Sequence, residues 1–121
     1  HRVAITLTAS LLARVPFKAT AGLHHPLRHH NDSVRTKMHG FFNVFGAGAL
    51  LHAGVISPLQ LEEVLADEDP ANFHFDDEGF GWKNKRVGLM PLARARKNAL
   101  LSFGSCSVDE PREDLQQLGL L

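Results

Sequence analysis

Two runs of residues, 15–23 and 99–106, have the composition of short buried β-strands, and the long segment between them carries helical patterns. In the first run Phe17, Ala19 and Ala21 alternate with polar or small residues, as on a strand with one face toward a core. The order strand, helices, strand, helix is typical of an α/β fold in which parallel strands are joined by helical crossovers. We therefore predict that the two runs pair in parallel.

Two parallel strands cannot form such a sheet alone, because parallel sheets are normally covered on both faces and contain more strands. We expect residues 1–121 to be either a single domain that partner chains complete or the C-terminal fragment of a larger domain. The fragment would be the last βα units of a barrel or part of a larger open sheet. A coding sequence upstream of His1 that encodes further βα units would favour the fragment.

A first long helix is predicted after the histidine-rich loop. Asn31, Asp32 or Ser33 can cap this helix, which runs to about Ala53 because its apolar residues recur every three or four positions. Gly54 follows where a left-handed C-terminal cap is expected. The helix should therefore be buried on more than one side.

A capping box and an aromatic hairpin follow. Ser57 and Gln60 flank Pro58 as in a capping box, which predicts a second helix to about Ala66. Residues 72–84 alternate around an acidic turn with glycine, which predicts an inserted β-hairpin. The aromatic residues expected on one face of the hairpin are Phe73, Phe75, Phe80 and Trp82. Further helices are predicted at residues 91–98 and 110–118.

Composition excludes several classes of function. The 13 Lys and Arg residues balance 13 Asp and Glu residues, so the chain lacks the basic excess of a sequence-independent nucleic-acid binder, and we expect no nucleic-acid partner. The longest apolar stretch, 41–56, is shorter than the roughly 20 residues of a membrane helix, and we expect no membrane partner. The single cysteine, Cys106, cannot form an intrachain disulfide, which favours a cytoplasmic location.

Small and polar residues follow both predicted strands. They are Thr20, Gly22, His24 and His25 after the first strand, and Gly104, Ser105, Cys106 and Ser107 after the second. The carboxyl ends of parallel strands meet at one edge of a sheet, and the second set leads into a helix N-terminus, which favours an anion. We predict a small ligand with a phosphate or carboxylate group there. Alternatively, Ser107 only caps the helix and Gly104 only permits close packing.

Four of the residues around these strand ends are candidates for catalysis. His24 and His25 can transfer protons near neutral pH. Lys18, if desolvated inside a barrel, could act as nucleophile or base; otherwise it pairs with a carboxylate of a neighbouring strand. Cys106 lies just before a helix, where a cysteine can be a reactive thiolate, although a lone cysteine is more often an inert part of a core.

Five of the 8 histidines lie within a short span: His24, His25, His29, His30 and His39. The spacing matches no zinc-enzyme signature, so we predict no metal site and no loss of thermal stability on adding EDTA. We expect His29 and His30 to face solvent.

The strings KATAGLHHP (18–26) and FGSCSVDEP (103–111) resemble the C-terminal part of an uncharacterised bacterial protein family. That resemblance implies a barrel-like α/β architecture of which these are the last βα units, and it implies no particular activity. The spacing of Lys18, Thr20 and Gly22 is similar to the strand of deoxyribose-phosphate aldolases whose lysine forms a Schiff base.

Together these patterns favour an enzyme fragment that binds a small anionic metabolite at the ends of its strands. The alternative is a non-catalytic binding module whose exposed parallel edge drives assembly into a homo-oligomer. No pattern in the sequence indicates a particular cofactor.

Overall fold

The structure is a computed structural model that describes residues 2–20 and 22–121 of the chain. It is a mixed α/β fold with several small sheets. The helices are α1 (Arg2–Ala13), a π-helix (Phe42–Gly46), α2 (Ala47–His52), α3 (Pro58–Ala66), a 3₁₀ turn (Pro70–Asn72), α4 (Leu89–Asn98) and α5 (Asp109–Gln117). The strands are β1 (Phe17–Ala19), β2 (His29–Asn31), β3 (Thr36–Met38), β4 (Phe73–Asp76), β5 (Gly79–Trp82), β6 (Lys85–Gly88) and β7 (Leu100–Phe103).

The predicted parallel pairing is confirmed by β1 and β7, which form a two-stranded sheet. Lys18 lies opposite Ser102, and Ala19 lies opposite Phe103. Both strands are shorter than expected. The chain leaves β1 before Gly22, whose φ of +81° is outside the extended region. Ala21, expected on the same strand face as Phe17, lies outside the described residues.

The prediction of one helix from about residue 31 is wrong, because residues 29–38 form the antiparallel hairpin β2–β3. Asn31 does not cap a helix. Its side-chain oxygen accepts hydrogen bonds from the backbone N–H and hydroxyl of Ser33, as in a turn, and Arg35 adopts a φ of +50° before β3 begins. The helical segment starts ten residues later, where the N–H of Phe41 donates to the carbonyl of His25.

The predicted hairpin is part of a three-stranded antiparallel meander, β4–β5–β6, that extends to Gly88 rather than to residue 84. The four aromatic residues share one face of the hairpin, as predicted, since Phe73 lies opposite Trp82 and Phe75 opposite Phe80. The extra strand β6 pairs with the other edge of β5, and all four residues of β5 are buried. The meander therefore packs as part of the core.

The core lies between α1, α2, α3 and the meander. Its fully buried side chains include Leu7, Leu50, Leu61, Val64, Phe80 and Val87. Asn43 is the one buried polar side chain among the described residues. Its amide oxygen accepts the N–H of Arg28 at 2.7 Å, while its amide nitrogen donates to the carbonyls of Val64 at 2.8 Å and Asp67 at 2.7 Å. Asn43 thereby joins the histidine-rich loop to the end of α3.

The remaining predicted helices are present. The capping box of Ser57 and Gln60 is formed at the start of α3, which ends at Ala66. Helix α4 begins two residues earlier than predicted, and α5 ends before Gly119, which has a φ of +68°. Within residues 2–20 and 22–121, no helix combines the length and the apolar character that crossing a bilayer requires.

Candidate functional site

The carboxyl ends of β1 and β7 meet, as parallel pairing requires. The N–H of Gly104 donates to the carbonyl of Ala19 at 2.8 Å and continues the ladder beyond the strands. A Cβ atom on Gly104 would lie 2.7 Å from the carbonyl oxygen of Thr20, which is too close for any other residue type to fit without movement. Gly104 therefore brings the segment that leads to Cys106 against the end of β1.

Helix α5 begins immediately after this segment. The Ser107 hydroxyl accepts hydrogen bonds from the N–H groups of Asp109 at 3.0 Å and Glu110 at 3.2 Å. This is the capping role that the sequence analysis left open beside anion binding. The cap fixes the start of α5, so Glu110 lies at the same end of the sheet as the histidines that follow β1.

The imidazole of His24 contacts three side chains from the other strand end. Its Nδ1 atom lies 3.1 Å from the Ser105 hydroxyl and 3.4 Å from a Glu110 carboxylate oxygen. Its Nε2 atom lies 4.0 Å from the Cys106 sulfur. Cys106 is exposed, and the His24 side chain is 23% exposed, so both side chains are accessible to a small molecule. We call Cys106, His24 and Glu110 the thiol–imidazole site.

Glu110 favours one tautomer of His24, and the backbone N–H of Cys106 favours the other. An ionised carboxylate only accepts hydrogen bonds, so Glu110 favours a proton on Nδ1 of the neutral ring. The lone pair is then on Nε2, which faces the Cys106 sulfur and can take the thiol proton. In the opposite tautomer, Nδ1 would accept the N–H of Cys106, which lies 3.5 Å away. The three side chains thus lie in the order thiol, imidazole and carboxylate.

His25 extends the cluster along α5. Its Nδ1 atom pairs with Asp114, and its Nε2 atom lies 3.8 Å from Glu110. The two carboxylates are four residues apart and share one face of the helix. The ring of His25 also packs edge-on against His29, with centroids 4.0 Å apart. His25 therefore attaches α5 to the loop after β1 and does not contact the thiol.

The other predicted site residues lie apart from this cluster. Lys18 is exposed on β1 and makes no hydrogen bond or ion pair within the described part of the chain, so it is neither desolvated nor paired with a carboxylate here. Thr20 is exposed and contributes its backbone to the contact with Gly104. Gly22 lies near the Met38 side chain, on the hairpin side of the loop.

The arrangement of the histidines differs from the predicted solvent-facing loop. His30 is exposed, as predicted, whereas His29 is half-buried and its Nε2 atom is buried with no hydrogen-bond partner in the described structure. Burial lowers the pKa of His39, and the nearby Arg28 guanidinium lowers it further. No three His, Cys, Asp or Glu residues within 2–20 and 22–121 are placed to hold one metal ion.

A second concave feature lies beside β7, and the sequence analysis did not predict it. It is a cavity of about 410 Å³ that we call the aromatic pocket. The six phenylalanines that line it are Phe41, Phe42, Phe45, Phe75, Phe80 and Phe103, and Arg96 is the one charged residue of the lining. The exposed aromatic residues of β4 and β7 could have indicated it, but three separate segments must meet to form it.

Comparison with known proteins adds no relative. No family model matches the sequence, and no significant match is found among the curated proteins or the solved structures. The function of this chain must therefore be inferred from the geometry described above.

Proposed function

We propose that the chain carries an enzyme active site in which Cys106 is the nucleophile for acyl transfer from a small carbonyl substrate. The observation that carries this proposal is the position of His24, with Nε2 toward the Cys106 sulfur and Nδ1 toward Glu110. An unreactive surface thiol would not need an imidazole that lies between it and a carboxylate. The same order of groups serves as nucleophile, base and orienter in thiol hydrolases.

The chemistry follows from the tautomer that Glu110 favours. The thiol proton of Cys106 passes to Nε2 of His24, and the sulfur attacks the carbonyl carbon of the substrate. The tetrahedral intermediate collapses to a thioester, and the leaving group departs with the proton from His24. Water then adds to the thioester with His24 as base, which releases the acid and restores the thiol. The 4.0 Å separation of sulfur and Nε2 is acceptable before substrate binds, since catalytic hydrogen bonds often shorten in the complex.

Acylation with 4-nitrophenyl acetate tests this proposal directly. Cys106 is the only cysteine in the chain, so an added acetyl group that Cys106→Ser abolishes reports that thiol. His24→Gln should slow nitrophenol release at pH 7 by about tenfold or more, because a hydrogen bond to a charged group contributes about 1.5–3 kcal/mol. Glu110→Gln should slow it less, since the amide can still accept from Nδ1.

His30→Gln is the matched control, because His30 is exposed in the β2–β3 hairpin and pairs only with Asp32 among the described residues. It should react like the unmodified protein. Circular dichroism establishes that each variant is folded. Equal acylation rates for the unmodified protein and a folded His24→Gln variant would show that Cys106 is an ordinary surface thiol.

Binding of a small anion at the strand ends is a second candidate. The N–H groups of Ser105 and Val108 have no hydrogen-bond partner in the described structure, and both lie close in sequence to the capped start of α5. They could bind a phosphate or carboxylate carried by the substrate. Titration with inorganic phosphate should shift the amide resonances of residues 105–109. The absence of a localised shift would leave Ser107 as a helix cap only.

We also propose that β1 and β7 belong to a larger parallel sheet or barrel as its last βα units. The outer edge of β1 is unpaired in the described structure, and a strand preceding α1 would reach that edge through a normal helical crossover. The coding sequence upstream of His1 tests this. A monomer of 121 residues with no upstream strand would contradict it, and a dimer would indicate completion of the sheet by a second copy.

A further inference from the structure

The aromatic pocket is built from parts that the thiol–imidazole site does not use. One side consists of Phe42, Phe75 and Phe80, with ring centroids 4.6 and 4.9 Å apart along that row. On the other side Phe103 stacks on Phe41 at 5.0 Å with the rings only 12° from parallel. Phe75 is 49% exposed and Phe103 is 39% exposed, so both rings present open surface to the cavity.

The backbone at this pocket is irregular. Phe42 and Phe45 belong to the π-helix that precedes α2. A π-helix is rare, is less favourable than regular helix and occurs frequently at functional sites, because the wider turn changes the direction of its side chains. Gly46 in the same turn leaves space that the Phe80 ring occupies, since a Cβ atom there would overlap the ring. The irregular turn thus places two phenylalanines in the pocket lining.

Arg96 gives the pocket a charge preference. It extends from α4 into the lining and makes no hydrogen bond or ion pair with any described residue. No carboxylate lines the pocket. A guanidinium beside aromatic rings is suited to a planar carboxylate, which it can hold through two parallel hydrogen bonds. The volume of about 410 Å³ lies within the range of pockets that hold small molecules.

We infer that the aromatic pocket binds a small apolar carboxylate, with its aromatic or branched body among the phenylalanines and its carboxylate on Arg96. This binding does not require Cys106 to react. The charge on Arg96 distinguishes this occupant from a neutral apolar molecule, and the small volume distinguishes it from a folded partner.

Calorimetric titration with 2-naphthoate and with its neutral analogue 2-naphthalenemethanol tests the inference. The naphthoate should bind saturably with a dissociation constant of about 1 mM or below, as a ligand of this size allows. The neutral analogue should bind about tenfold more weakly, because it cannot form charged hydrogen bonds with Arg96. Arg96→Gln should weaken naphthoate binding to the level of the neutral analogue.

Arg94→Gln is the matched control, since Arg94 is exposed on the same helix but lines a different cavity beside His52. It should leave naphthoate binding unchanged. Ser102→Trp places a ring in the pocket from an exposed position on β7 and should weaken binding of both probes. Circular dichroism establishes that each variant is folded.

Three results would overturn the inference. The first is equal binding of naphthoate and its alcohol, and the second is equal effects of Arg96→Gln and Arg94→Gln. The third is a dimer in size-exclusion chromatography that Ser102→Trp dissociates and naphthoate does not, which would make this face a contact between copies. Acylation of Cys106 is measured separately, so failure here leaves the thiol–imidazole proposal standing.

Discussion

The segment between Phe41 and Leu100 buries apolar side chains on every helix and strand except the 3₁₀ turn, whereas α5 at the carboxyl end buries none completely. Leu115 of α5 packs partly against the core. Polar pairs also attach α5 to the loop after β1: Glu110 with His24 and His25, and Asp114 with His25. The centre is therefore stabilised by removal of apolar surface from water, which requires close packing. The carboxyl end is attached by half-exposed polar pairs, which contribute much less to folding and leave their groups accessible for chemistry.

The largest expected effect is the loss of a side chain from the centre. Leu61 on α3 is 0% exposed, so Leu61→Ala should lower the free energy of unfolding by about 2–5 kcal/mol through lost burial and the cavity that remains. Leu59→Ala on the same helix is the control, because Leu59 is 83% exposed and its loss should change stability by less than about 0.5 kcal/mol. Urea unfolding followed by the Trp82 fluorescence measures both. Similar values for the two variants would mean that α3 is not packed as described.

The sequence predicts some features of these two regions and not others. The difference depends on how far apart in the sequence the interacting residues lie. The capping box at Ser57 and the shared face of the aromatic residues on β4 and β5 are local, and the sequence predicts both. The cap at Ser107 is also local, and the sequence offers it beside an anion site. The prediction of a helix from residue 31 is wrong because the apolar spacing of the true helical segment continues backward into the sequence of the β2–β3 hairpin. The start of the true helical segment is set by hydrogen bonds to the loop carbonyls of His25 and Pro26. Local sequence patterns do not predict these contacts.

The candidate site shows the same division. Parallel pairing of β1 and β7 was enough to place His24 beside Ser105 and Cys106, although 81 residues separate His24 from Ser105. The contribution of Glu110 was not predicted, because it depends on the direction in which α5 leaves its cap. For a related reason the sequence leaves the surroundings of Lys18 open: strand periodicity assigns it to a face but does not determine whether that face is covered.

A smaller effect on stability is expected when the pH falls. Burial lowers the pKa of His39, with the Arg28 guanidinium as a second cause, and burial also lowers the pKa of His52. Below the unfolded value of about 6.5 the unfolded chain therefore binds more protons at these rings than the folded chain does. The free energy of unfolding should fall as the pH drops from 7.5 through this value toward the lowered folded pKa.

His39→Gln should reduce the difference in unfolding free energy between pH 7.5 and pH 5.5, since it removes one of the two groups. His30→Gln is the control, because His30 is exposed on the hairpin and should leave the difference as it is. Urea unfolding at the two pH values measures this. If stability rose on acidification and His39→Gln made no difference, His39 and His52 would not govern how the stability of the protein depends on pH.

The smallest effect on global stability is expected at α5. Asp114 pairs with Nδ1 of His25, and the two side chains are 23% and 30% exposed. Asp114→Ala should therefore lower the free energy of global unfolding by less than about 1 kcal/mol, as for other half-exposed pairs. The local consequence should be larger, because α5 has few apolar contacts and can open while the centre stays folded. Amide hydrogen exchange in residues 109–117 should accelerate in this variant, with no change in α2 and α3.

Glu113→Ala, at an exposed position on the same helix, is the control and should accelerate exchange neither in α5 nor in α2 and α3. Because α5 carries Glu110, opening the helix should also slow acylation of Cys106, which links the weak attachment of this end to its proposed chemistry. Equal acceleration of exchange in α2, α3 and α5 would instead mean that the two regions unfold as one unit.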